Sequence, residues 1–109
     1  MNYIIVYITA STKEEAEKIA QALLDAKAVA CVSIINNVSS RFWWNGAIDT
    51  AKELLLIAKT EKENFKRVEA ITKQNHSYDV PEIVAMPICD GSEDYLAWIS
   101  ESVKHAEPR

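Results

Sequence analysis

Asn45-Gly46 lies between two runs rich in Val, Ile and aromatic residues, Cys31 to Trp44 and Ile48 to Thr60. A two-residue type I′ hairpin loop needs positive φ at both central residues, and Asn followed by Gly meets that need at little steric cost. The dipeptide therefore predicts one long antiparallel ribbon. Both runs exceed the roughly 5 to 6 residues usual for a strand, and an isolated ribbon is only marginally stable in water, so its far end needs a partner.

The flanking segments supply the rest of a sheet and its cover. Tyr3 to Thr9 is β-branched and aromatic enough for a buried strand. Ser11 and Thr12 offer helix N-caps, and Thr12 with Glu15 spells a capping box. Ala16, Ile19, Ala20, Leu23 and Leu24 then recur on one helical face. Thr60 and Glu63 spell a second capping box, ahead of a stripe of Phe65, Val68, Ile71 and Thr72 that stops near Asn75. Ile83 to Ile88 reads as a short strand, and Pro87, which cannot donate to a ladder, assigns it to a sheet edge. Ser92 caps a last helix with Leu96, Ile99 and Val103 on one side. The order βαββαβ plus a helix predicts an α+β, ferredoxin-like antiparallel sheet with helices on one face, as one domain over residues 1–109.

Charge and composition narrow the partners. With 109 residues, 49% hydrophobic and a formal charge of −4, the chain suits a globular domain and lacks the basic face that nucleic acid requires. No apolar run approaches the roughly 20 residues of a membrane span. The start runs straight into a strand-like segment without the pattern of a signal peptide, which makes the cytoplasm the expected location. Cys31 and Cys89 sit in apolar stretches without zinc-like spacing and read as free thiols. The stretch from Lys104 to Arg109 reads as a polar tail.

No phosphate-cradling glycine motif, HExxH or GxSxG occurs, so no enzyme is expected. His76 and His105 are the only histidines, too few for a three-histidine zinc site within one subunit. The chemistry concentrates in Asn75-His76-Ser77-Tyr78-Asp79-Val80-Pro81-Glu82, where an imidazole, a phenol and two carboxylates share a loop between helix and strand. In that loop His76 either binds a ligand or closes the preceding helix, and Tyr78 either lines a site or pins the loop. Lys59 can counter an anionic ligand or a carboxylate such as Glu82. Phe42, Trp43 and Trp44 near the ribbon tip form either a ligand-stacking surface or, as the favoured reading of such an apolar patch, a contact between subunits, and with the over-long ribbon they predict an oligomer.

Five segments, Cys31-Val32-Ser33-Ile34-Ile35, Trp43-Trp44-Asn45-Gly46, Glu53 to Thr60, Asn75 to Glu82 and Asp94 to Ile99, together resemble the divalent-cation tolerance family CutA over nearly the whole chain. The resemblance implies a homotrimer in which long hairpins pair with neighbouring subunits, as in PII signalling proteins, leaving clefts between subunits. It implies a non-enzymatic role in metal-ion homeostasis and the binding of copper or another divalent cation. With so few fixed ligands that binding is expected to be weak, mainly through His76 joined by Cys31 or a carboxylate of the adjacent loop, and not needed for folding. The alternative is a PII-like sensor of a small anionic metabolite in the cleft, lined by Lys59, Tyr78 and Glu82. A purely structural trimer is the third reading. This chain departs from the family pattern at Asn36-Asn37, which replaces a Pro-Gly, at Ser77, which replaces a proline, and at Ile8, where some members carry a cysteine.

Overall fold

The computed structural model describes residues 2–104. The chain runs β1 (Tyr3–Ala10), α1 (Lys13–Asp25), β2 (Cys31–Trp44), β3 (Ala47–Glu61), a 3-10 turn (Lys62–Asn64), α2 (Phe65–Gln74), β4 (Ile83–Pro87) and α3 (Glu93–Ser102). The polar tail expected at the C-terminus, His105 included, lies outside the described residues beyond Lys104. The strands form one antiparallel sheet in the order β2-β3-β1-β4, so the proline-bearing β4 is an edge, as expected.

Strand alternation sorts the side chains. Ile4, Val6, Ile8 and Ala10 of β1 pair with Thr60, Ala58, Leu56 and Leu54 of β3, and these positions share the face that α1 and α2 cover. Ile19 and Leu23 of α1 and Val68 of α2 are fully buried there, each contributing roughly 1.5 to 3 kcal/mol of hydrophobic stabilisation. Leu24, expected on the same stripe, is 39% exposed, because the helix turns it away from the sheet. The last helix also corrects the expectation of a single covered face. α3 packs on the opposite side, where Tyr3 Oη meets Ser100 Oγ at 2.7 Å and Ser100 Oγ donates to Glu61.

Local signals succeed where the backbone is free to obey them. Thr12 Oγ1 accepts from the Glu15 amide at 3.1 Å, while the Glu15 carboxylate reaches one residue further back, to the Ser11 amide at 2.9 Å. The second capping box does not form. Thr60 lies in β3 and is fully buried, and its hydroxyl donates to the Ala28 carbonyl at 2.7 Å. At the hairpin, Asn45 and Gly46 take φ of 52° and 80°, the positive pair that the turn requires. Asn36 and Asn37 together oppose Leu54, a β-bulge between Ile35 and Val38 in which Asn37 has φ of 64°. Beyond this bulge the ribbon loses the support of β1, whose pairing with β3 ends at Leu54, and continues as a two-stranded arm to Trp44 and Ala47.

Candidate functional site

The loop after α2 is fastened to three elements by polar groups. Asn75, not His76, closes the helix, donating its side-chain amide to the Ile71 carbonyl at 2.8 Å. The His76 ring turns inward, its side chain fully buried. Nε2 lies 2.6 Å from the Thr9 carbonyl and Nδ1 accepts from the Tyr78 amide at 3.1 Å. A carbonyl can only accept, so the proton sits on Nε2 and the ring is the neutral tautomer. Both ring nitrogens are therefore used by backbone groups. Tyr78 stacks obliquely on this ring at 4.9 Å and donates its phenol to Glu53 Oε2 at 2.9 Å.

Glu53 and Glu15 complete the cluster, and neither stood out in the sequence as a site residue. Glu53 is only 6% exposed. Burial pushes the Tyr78 phenol up to about 12, helped by its hydrogen bond to the Glu53 carboxylate. Glu15 receives the Ser77 amide at 2.6 Å and the Ser11 amide and hydroxyl. Burial raises its carboxyl, but these hydrogen bonds outweigh burial and hold it below the usual glutamate range. The signal for Glu53 was available as a lone carboxylate heading the apolar run from Leu54 to Ala58. Glu82 is exposed at the loop's end.

A second group lies at the other end of the sheet. Cys31 pairs with Lys59 across β2 and β3, and Lys59 Nζ stands 3.9 Å from Cys31 Sγ. Tyr95 of α3 closes over them, its Oη 3.6 Å from the sulfur. The contact with Cys31, with some burial, raises the Tyr95 phenol above its ordinary value. The row containing Cys31 and Lys59 continues to Ile5, whereas His76 bonds to Thr9, four residues on. Four residues of strand put His76 roughly 13 Å from Cys31 along the sheet. Within one subunit the two expected metal ligands are not brought together. Lys59 is likewise six residues along β3 from Glu53, the partner of Tyr78, so the residues expected to line one cleft occupy opposite ends of a subunit. Among the described residues no group of three or more His, Cys, Asp or Glu is placed to hold a metal ion.

The expected contact surface is open. Trp43 is 73% exposed and Trp44 and Ile48 are each 63% exposed on the arm, and Phe42 is partly exposed beside them. Trp43 pairs with Ile48 and Trp44 with Ala47, so the two tryptophans point to opposite faces of the ribbon. On the sheet face shared with α3, Ile35, Val84, Met86, Tyr95 and Trp98 also remain exposed. Among the described residues no helix is long and apolar enough to cross a membrane.

Comparison with known proteins gives consistent matches. A family model described as CutA1 divalent ion tolerance protein matches residues 4–102. The divalent-cation tolerance protein CutA of Archaeoglobus fulgidus is 46% identical over 99 residues, covering 91% of this chain and 96% of that protein. The rice protein CutA 1, chloroplastic, is 38% identical over 103 residues, and the match spans 94% of this chain but only 58% of the rice protein. Among solved structures, that of the periplasmic divalent cation tolerance protein CutA from Archaeoglobus fulgidus superposes with a TM-score of 0.91 at 45% identity, covering 94% of this chain and 99% of that one.

Proposed function

The chain belongs to the CutA1 divalent ion tolerance family, and from that premise we propose that it acts in divalent-cation tolerance as a non-enzymatic homotrimer. The observation that supports this reading is the arm with its neighbouring sheet face. Two tryptophans on opposite sides of a ribbon cannot both be covered by one flat surface, so the arm fits a slot between other copies. Large apolar side chains left this open, on both sides of an arm and on the sheet face beside α3, point to partner contacts. Both ring nitrogens of His76 serve backbone groups, which leaves neither free for acid–base work and supports the non-enzymatic reading.

Cation binding by this chain is weak in this reading. A copper-type ion prefers thiolate and imidazole, but His76 must first give up Thr9 or Tyr78, and Cys31 stands beside an ammonium group. Ligands that need rearrangement and lie far apart cannot recover the cost of ordering them. Calorimetric titration of copper, zinc and nickel into wild type, Cys31→Ser and His76→Ala tests this. Weak copper binding that falls in Cys31→Ser supports the assignment. Tight stoichiometric binding that survives both substitutions would refute it.

A second reading, a PII-like sensor of a small anionic metabolite between copies, rests on Lys59. Among the described residues this lysine has no carboxylate in ion-pair contact, and its ammonium contacts the Cys31 thiol. Saturable thermal stabilisation by a nucleotide or organic acid, with metals chelated and lost in Lys59→Gln, would favour this reading over metal binding.

A further inference from the structure

Cys31 and Lys59 are paired by the sheet register itself, on the same face, with Sγ and Nζ 3.9 Å apart and Tyr95 Oη beside the sulfur. We propose that they form a peroxide-responsive covalent switch, in which the oxidised Cys31 sulfur is captured by the Lys59 amine as a sulfenamide. In the first step the sulfur attacks hydrogen peroxide and the O–O bond breaks. Cys31–SH and H2O2 become Cys31–SOH and water, the sulfur giving up two electrons. In the second step the Lys59 nitrogen displaces the hydroxyl. Cys31–SOH and Lys59–NH3+ become Cys31–S–NH–Lys59, water and a proton released to solvent. Two equivalents of an external thiol reverse the link, leaving the free cysteine and amine and one external disulfide.

The fold decides which group does the capturing. Cys89, the other thiol, follows β4, and β3 and β1 lie between β4 and β2. Three strand spacings amount to roughly 14 Å, beyond the reach of a disulfide within the chain. Among the described residues the amine is the only nucleophile held against the sulfur by backbone pairing, and the flexible lysine stem closes the gap without moving either strand. The link would remove the Lys59 charge, shield Cys31 from irreversible oxidation and withdraw its sulfur from any cation.

The test uses the full chain in a Cys89→Ser background, with metals chelated so that the outcome is independent of the cation reading. After stoichiometric peroxide, intact-mass spectrometry should show loss of two hydrogens, no dimedone adduct, and return to the starting mass with dithiothreitol. Peptide mapping should join the segments carrying Cys31 and Lys59. Lys59→Arg, checked for an unchanged melting temperature, should instead stop at a dimedone-reactive sulfenic acid and pass to the sulfinic acid with excess peroxide. The proposal is overturned if Lys59→Arg loses the same two hydrogens. It is overturned equally if the parent protein accumulates sulfenic or sulfinic acid, or resists peroxide altogether.

Discussion

Thr72 Oγ1 is buried in α2 without a hydrogen-bond partner. A buried polar group left unsatisfied costs about 1 to 3 kcal/mol, whereas valine fills the same shape without that cost. Thr72→Val should therefore stabilise the protein by about 1 kcal/mol, seen as a higher urea midpoint at unchanged slope. Tyr78→Phe should do the reverse, since it leaves the buried Glu53 carboxylate without its phenol donor. A loss of about 2 kcal/mol is expected, and a wild-type midpoint would show that solvent replaces the phenol. The same bond has a pH signature. Tyr78 holds its proton to about 12 in the folded state against 10.0 for a free phenol, so its contribution is complete below the lower value and lost as pH rises through the higher. The stability difference between wild type and Tyr78→Phe should therefore be full below pH 10.0 and close as pH rises through about 12, and a difference that stays constant across that range would remove the bond as its cause. At this scale the sequence was least legible. It pointed to the loop from Asn75 to Glu82, but whether His76 faced a ligand or the backbone depended on Thr9, which only the folded sheet brings near.

Secondary elements were far more legible, because their signals are local. The ribbon, its turn and α1 follow from Asn45-Gly46, from β-branched runs and from a single apolar stripe. A Cβ built on Gly46 meets nothing within 4 Å, so the cost of Gly46→Val lies entirely in placing a β-branched residue at φ of 80°. A loss of about 1 to 2 kcal/mol is expected, read from thermal melts. Gly46→Asn, which tolerates this region, should melt closer to wild type, and equal melting of all three proteins would remove the turn from the account. The failed capping box at Thr60 shows the limit of such signals. Its spacing is correct, but Thr60 falls on the core-facing side of β3, and its hydroxyl serves Ala28 before any helix can claim it. The side taken by α3 was equally hidden, since an apolar stripe says that a helix is covered and not which face covers it.

At the scale of the whole molecule, light scattering should return the mass of three chains, and the paired changes Trp43→Glu and Trp44→Glu should lower it by placing charge where apolar contact is expected. A wild-type monomer, or an unaltered mass in the paired variant, would detach the arm from assembly. The bulge at Asn36 and Asn37 carries a consequence for how this arm can change over time. Ile35 and Val38 are three residues apart yet share a side, because their partners Leu55 and Glu53 are two apart and the extra residue on β2 is absorbed in the bulge. Deleting either asparagine would leave one residue opposite Leu54 and restore an unbroken ladder, so Trp43 and Trp44 would keep their partners and their sides while the local bend of β2 would be lost. The ribbon can therefore change residue number on one strand at the bulge without re-pairing, whereas elsewhere along the arm a lone insertion or deletion shifts every pair beyond it and must be matched on the opposite strand.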